Sequence, residues 1–166
     1  MKLFLLLILS VNIMAQEAIN TEFYNIELPK STTFEKMNSS KEELSNVDVF
    51  KILNLENRQI KYLIYLMSNK LNVDFISEPN LNEYVGDIGE VEIVKKERII
   101  FKEYDVYKLK MKLGDNISSI MYLTNINDVL YRLVFMIPKK LFPDYEKEVE
   151  SFFKSVIFLK DNWTEN

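Results

Sequence analysis

The stretch VLYRLVFMI, residues 129–137, gives the clearest indication of the fold, because as a strand it would be apolar on both sides. Side chains alternate along a strand with a period of two, which separates two apolar sets: Tyr131, Leu133 and Phe135 on one side, and Leu130, Val134 and Met136 on the other. Strands that are apolar on both faces are typical of the centre of a sheet that is covered on both sides. The sequence therefore predicts a central strand here, ended by Pro138.

Two strands are predicted immediately before this one, each followed by turn residues. Residues 105–113 alternate between two sets: Tyr107, Leu109, Met111 and Leu113 on one face, and Val106, Lys108, Lys110 and Lys112 on the other. Residues 117–124 alternate again, after the turn residues 114–116 and before the turn residues 125–128. Three successive strands joined by short turns predict an antiparallel meander of two hairpins.

A helix is predicted after the central strand. Pro143 suits a first helical turn, because a proline there loses no helical hydrogen bond, and Asp144 favours a helix N-terminus electrostatically. Five apolar residues then follow the spacing i, i+4, i+7, i+8 and i+11: Tyr145, Val149, Phe152, Phe153 and Val156. We expect this stripe to pack against the sheet as part of the core.

The first half of the chain shows weaker patterns. One strand is suggested by apolar alternation before a proline: Tyr24, Ile26 and Leu28, then Pro29. Residues 47–55 and 60–67 suggest two more strands around the turn 56–59, although residues 58–71 also fit a helix, so both structures stay open there. Residues 91–101 predict a strand that opens the sheet.

Two short helices are also predicted in the first half. Ser39 or Ser40 could cap the first helix, because a glutamate follows each of them three positions later. The second would follow Asn80 and stop at Gly89, since glycine commonly ends a helix. The predicted fold class is α+β: an antiparallel β-sheet flanked by helices in a single domain.

The N-terminal sequence MKLFLLLILSVNIMAQ has the pattern of an export signal. Lys2 supplies the positive start, residues 3–11 supply the apolar run, and Ala15 is a small residue at the cut. The run is shorter than the roughly 20 apolar residues of a membrane span. We therefore expect a cleaved signal peptide at residues 1–15, a single α+β domain with short flexible ends at residues 16–166, and an extracytoplasmic location, periplasmic or secreted, without a stable membrane span.

The composition excludes several kinds of chemistry. The chain has no histidine and no cysteine, so catalytic triads, thiolate nucleophiles, zinc sites and disulfides are not expected. Its three glycines do not form a phosphate-binding loop. The formal net charge is −4, and loss of Lys2 with the signal peptide makes it one unit more negative, which disfavours nucleic acid as a partner. We expect no cofactor and no metal ion.

Pairs of carboxylates are the remaining route to catalysis, since a glycosidase needs two acidic side chains at the right separation. The candidates are numerous: Glu42, Glu43, Glu146, Glu148 and Glu150. Their spacing places most of them on solvated surfaces, so ordinary surface charge is the favoured interpretation. We expect the protein not to be an enzyme.

The row of Lys108, Lys110 and Lys112 has two interpretations. It could belong to a solvated or edge strand on which lysines prevent sheet-to-sheet aggregation. It could also form a basic strip for an acidic partner, and with a simple pairing register Tyr122 and Arg132 would share its face. These five residues are the predicted partner-binding residues.

The order of the elements resembles that of PsbP-like and DcrB-like domains. The resemblance covers most of residues 23–158: FYNIELPK (23–30), NLNEYV (80–85), VEIVKKERIIF (91–101), the alternating run at 104–113, ISSIMYLT (117–124), VLYRLVFMIP (129–138) and FFKSVIF (152–158). It implies an antiparallel sheet flanked by helices, in an extracytoplasmic accessory or binding protein without a shared active site.

Two functional hypotheses follow. The first is an exported, non-catalytic accessory module that binds an envelope protein, suggested by the resemblance and by the missing catalytic residues. The second is a carrier of a small apolar ligand in a gap between sheet and helix, suggested by the Met, Phe and Tyr residues of the last strands.

Overall fold

The computed structural model of the protein describes residues 17–70, 81–85 and 90–159. Ten strands lie within these ranges: Ala18–Asn20 (β1), Tyr24–Glu27 (β2), Thr32–Glu42 (β3), Ser45–Asn54 (β4), Ile60–Lys70 (β5), Val91–Phe101 (β6), Tyr104–Leu113 (β7), Ile117–Ile126 (β8), Val129–Pro138 (β9) and Ile157–Phe158 (β10). One α-helix, Phe142–Lys154 (α1), follows β9 after the 3-10 turn Lys139–Leu141. No helix in this part of the chain has the length and apolar character that crossing a membrane requires.

Seven strands form one antiparallel sheet in the order β3-β4-β5-β9-β8-β7-β6. Strand β9 is the fourth of the seven, so the prediction of a central strand at residues 129–137 is confirmed. The remaining strands form a small sheet in the order β1-β2-β10. The fold is therefore dominated by sheets, and the prediction of a sheet flanked by helices is confirmed only in part, because α1 is the one α-helix among the described residues.

The predicted meander of β7, β8 and β9 is confirmed, with the first turn at residues 114–116 as predicted and the second turn tighter than the sequence indicated. Strands β8 and β9 pair up to Ile126 and Val129, so that only Asn127 and Asp128 form the turn. Both residues have positive φ angles, 50° and 61°. Asn and Asp tolerate this left-handed conformation better than most residues, and a two-residue turn of this kind matches the twist of a hairpin.

Helix α1 and the small sheet cover one face of the seven-stranded sheet, which we call the helix face. Buried aromatic rings fill the contact between them: Tyr122 stacks on Phe153 with ring centroids 3.7 Å apart, and Phe135 meets Phe152 edge to face at 5.5 Å. On the small sheet, Tyr24 packs edge to face on Tyr131 at 5.5 Å. The predicted helical stripe is thus a core element.

The opposite face of the sheet carries a second buried cluster. It contains apolar residues from β7, β8 and β9 together with two residues of the segment 81–85: Leu109, Met111, Met121, Leu123, Leu130, Val134, Leu81 and Val85. Strand β9 thus contributes buried side chains to both faces, which is the physical reason for its apolar sequence.

In the first half of the chain, the structure settles one open alternative and corrects two predictions. Residues 60–70 are strand β5, so the strand interpretation of residues 58–71 applies to them. The helix predicted after Ser39 or Ser40 is wrong, because residues 32–42 pair with β4 as strand β3. Residues 81–85 form consecutive turns and not a helix, while the rest of that prediction lies outside the described residues, as does the predicted signal peptide.

Candidate functional site

The first two lysines of the predicted basic strip lie under helix α1. On the helix face, Lys108 Nζ lies 2.5 Å from Glu150 Oε1, and Lys110 forms an ion pair with Glu146. Glu146 and Glu150 are four residues apart, which places both carboxylates on the flank of the helix that faces β7. The acidic groups that meet these lysines therefore belong to the chain itself.

A third ion pair joins the other flank of helix α1 to β5. The register of β5 shifts where Ile52 pairs with Tyr62 and Leu53 pairs with Ile60, so Lys61 is the extra residue of a bulge. As a result both Lys61 and Tyr62 reach Glu148, at 2.5 Å and 2.9 Å. The side chain of Lys61 is only 6% exposed, and that of Glu148 is 21% exposed.

The glutamates of α1 thus bind the helix to the sheet on both sides. The sequence interpretation of Glu146, Glu148 and Glu150 as ordinary surface charge did not anticipate this role. The pKa of the Glu150 carboxyl is lowered because Lys108 donates a hydrogen bond to it. Burial raises the pKa of the Tyr62 hydroxyl well above its ordinary value, and the neighbouring Glu148 charge adds to the rise. Glu150 is therefore ionised and Tyr62 is neutral at neutral pH.

The other three predicted partner-binding residues occupy different environments. Tyr122 lies opposite Lys108 in the sheet register and is buried against Phe153. Lys112 is more exposed than its two neighbours in the row and pairs with Glu92 of β6 at 3.1 Å. Only the outer end of the lysine row is therefore open to a partner.

The prediction that Arg132 shares the face of the lysines is wrong. In the observed register Tyr122 pairs with Leu133, and Arg132 pairs with Leu123, so the Arg132 side chain lies on the opposite face. There its guanidinium donates hydrogen bonds to the carbonyl oxygen of Tyr84 at 3.0 Å and to Oδ1 of Asn69 at 2.9 Å. Arg132 anchors the segment 81–85 to the sheet.

The margin of the sheet formed by β6 is a surface that the sequence analysis did not single out. Among residues 17–70, 81–85 and 90–159, no strand pairs with the outer edge of β6. Two of its apolar side chains are exposed, Val94 by 54% and Ile100 by 71%. Arg98 lies beside Ile100 and pairs with Asp105 at 2.9 Å. The sequence predicted that residues 91–101 form a strand that opens the sheet, but it did not indicate which side chains of this strand are exposed.

The pKa values of four described carboxyl groups bear on acid–base catalysis. Each acidic residue of the described ranges for which a displaced pKa is resolved has it displaced downward: Asp48, Glu97, Asp105 and Glu150. A general acid at neutral pH would need a raised pKa. No cluster of three or more potential metal-binding side chains occurs in the part of the chain that the structure describes.

Asp48 supplies a test of these electrostatics at the β3–β4 hairpin. Burial raises the pKa of its carboxyl, but hydrogen bonds from Lys36, Ser39 and Asn46 outweigh burial and hold the pKa below its ordinary value. The ionised Asp48 carboxylate therefore stabilises the fold fully at pH values above the unfolded pKa of about 3.9. This stabilisation is lost as the pH falls through the pKa of Asp48 in the folded protein. We expect Asp48→Asn to lower the free energy of unfolding by about 1 to 2 kcal/mol at pH 7.

Urea denaturation of both proteins between pH 7 and pH 2.5 measures this effect. The difference between them should shrink below about pH 4, where the wild-type carboxyl becomes protonated. Asp115→Asn, at the exposed β7–β8 turn, is the matched control and should change stability little at any pH. A difference for Asp48→Asn that stays constant down to pH 2.5 would contradict the prediction.

Together these elements define an antiparallel α+β module whose helix α1 is held on a seven-stranded sheet by ion pairs, and its fold is PsbP-like. The solution structure of cyanobacterial PsbP (CyanoP) from Synechocystis sp. PCC 6803 is similar over 90% of this chain and 96% of its own length, with a TM-score of 0.60 and 11% sequence identity. The PsbP-like part of the predicted resemblance is thus confirmed for the fold, and the DcrB-like part stays a prediction.

A crystal structure from Bacteroides thetaiotaomicron VPI-5482 is similar over 83% of this chain and 46% of its own length, with 12% identity. Its TM-score of 0.46 is too low to establish a shared fold. No protein-family model matches the sequence, and no curated protein matches it significantly.

Proposed function

We propose that the chain is an exported, non-catalytic accessory module that binds another protein of the cell envelope. The PsbP-like fold and the pattern of the N-terminal residues support this proposal. The roles of the charged side chains support it as well. The ion pairs of Lys61, Lys108 and Lys110 hold helix α1 in place, and the acidic residues with displaced pKa values are ionised at neutral pH.

The observation that carries the proposal is the margin of the sheet at β6. It combines an edge without a strand partner in the described ranges with the exposed apolar side chains of Val94 and Ile100. Sheet edges and exposed apolar side chains are both features of protein-binding surfaces. Among the exposed large apolar residues of the described ranges, Ile100 is the most exposed.

The alternative of an apolar-ligand carrier finds less support between the sheet and α1. The rings of Tyr122, Phe135, Phe152 and Phe153 are in contact there and occupy the space that such a ligand would need. We therefore retain protein binding as the function that the geometry favours.

Affinity capture with chemical cross-linking from the native envelope tests this function. We expect one or more envelope proteins to be enriched above an unrelated exported protein and to bind the purified chain again in isolation. If no enriched protein binds the purified chain, the proposed function fails. A screen for hydrolysis of glycans and esters should show no activity above buffer, and activity abolished by substitution of a single acidic residue would overturn the non-catalytic assignment.

A further inference from the structure

The outer edge of β6 has a regular half and an interrupted half. Its register with β7 shifts between Ile93 and Lys95, which makes Val94 the extra residue of a bulge. From Lys95, opposite Lys110, to Phe101, opposite Tyr104, the pairing runs without interruption. These seven residues contain neither proline nor glycine and span about 23 Å at the usual rise of a strand. They form a continuous template for one more strand.

The side chains of this half specify what kind of strand fits. On the helix face Ile99 and Phe101 border the core and offer apolar contacts to a neighbour. Lys96, Arg98 and the exposed Ile100 lie on the opposite face. The seven residues contain three basic groups and one acidic group, Glu97, whereas the whole chain has a net charge of −4. Charge complementarity therefore favours an acidic neighbour.

A second copy of the chain fits this edge poorly. Antiparallel pairing of two identical β6 strands about a twofold axis places one residue opposite itself. Only an axis at residue 98 pairs all seven residues 95–101, and it places Arg98 opposite Arg98. Like charges directly opposite one another destabilise a sheet. The other edge of the large sheet, β3, is also a poorer template, because from Lys36 to Glu42 it is exposed on both faces and interrupted by a bulge at Met37.

We infer that residues 95–101 of β6 accept an extended, acidic segment of a partner protein as an eighth strand of the sheet; this inference rests on the proposed protein-binding function. Main-chain hydrogen bonds along the edge supply affinity, and side chains on the two faces supply specificity. A segment that alternates acidic and apolar residues satisfies both faces, with acids beside Lys96 and Arg98 and apolar groups beside Ile99 and Phe101.

Two synthetic peptides test the inference: Thr-Val-Glu-Val-Glu-Val-Thr and its lysine counterpart, Thr-Val-Lys-Val-Lys-Val-Thr. We expect the glutamate peptide to slow amide hydrogen exchange within residues 95–101 and to bind at least fivefold more tightly than the lysine peptide. The substitution Arg98→Glu should weaken binding of the glutamate peptide at least fivefold. Arg58→Glu is the matched control, because Arg58 also forms an exposed ion pair, with Glu35, and should change binding less than twofold.

Several results would overturn the inference. They are equal binding of the two peptides, protection of amides outside β6 without protection within it, or a dimer of the chain that protects residues 95–101 without peptide. The partner found by affinity capture separates this inference from the function on which it rests. If that partner binds Arg98→Glu and the wild type equally and leaves β6 unprotected, strand addition fails while protein binding stands. If no partner is captured, the proposed function itself fails.

Discussion

Replacing Phe135 by alanine is expected to lower the free energy of unfolding by about 3 to 5 kcal/mol. Phe135 is fully buried on the central strand β9 and contacts the rings of Tyr62, Tyr122 and Phe152, with centroid distances of 6.2, 6.1 and 5.5 Å. Its removal leaves a cavity where the sheet meets α1, and neighbours held on three separate elements cannot collapse into it. Since small domains are stable by about 5 to 15 kcal/mol, the loss is a large fraction of the total.

Chemical denaturation of the two proteins measures this loss. Phe34→Ala is the matched control, because Phe34 is half-buried on the edge strand β3 and its ring contacts Phe50 at 5.7 Å. Truncation there should cost clearly less, since water and mobile neighbours can fill the space. An equal loss for the two variants would show that the core is not centred on the contact between β9 and α1.

The second large effect is expected at the buried ion pair between β5 and α1. Glu148→Gln keeps the shape of the side chain but removes the charge that faces Lys61 Nζ at 2.5 Å. Lys61 then remains buried without its counter-charge, and breaking a buried pair in this way costs about 3 to 5 kcal/mol. Because Glu148 retains some solvent contact, we expect a smaller loss than this, about 2 to 3 kcal/mol.

A double variant distinguishes the charge from the packing. In Lys61→Met with Glu148→Leu both charges are replaced by apolar groups of similar size, and most of the lost stability should return. Glu35→Gln, which breaks the exposed pair with Arg58, is the control and should change stability by less than about 1 kcal/mol. A double variant as unstable as Glu148→Gln would show that Glu148 acts through Tyr62 or through packing and not through the Lys61 charge.

The elements of the second half could be predicted because each has a clear local period. The apolar run at residues 129–137, the alternation at 105–113 and 117–124, and the helical stripe after Pro143 all correspond to observed elements. Strand β3 could not be predicted in the same way. Much of it is polar and exposed on both faces, so its sequence carries no apolar alternation, and the serines and glutamates of residues 39–43 imitate a helix cap.

The candidate site was predictable only in part. Alternation correctly indicated that Lys108, Lys110 and Lys112 share one face of a strand, but it did not indicate what covers them. Their counter-charges lie on α1, with Lys108 and Glu150 separated by 42 residues of sequence. The position of Arg132 depends likewise on the pairing of β8 with β9, in which a shift of one residue exchanges the two faces.

Local sequence was sufficient to predict the strands and helix of the second half, the central place of residues 129–137 and the lack of histidine and cysteine chemistry. These properties reside in composition or in the spacing of neighbouring residues, which side-chain periodicity makes visible. Tertiary contacts were needed to show that Lys108 and Lys110 hold the chain's own helix, that Arg132 lies on the opposite face, and which side chains of β6 are exposed. Strand order and ion pairing arise from contacts between residues far apart in the chain, and the local periodicity of side chains does not predict such contacts.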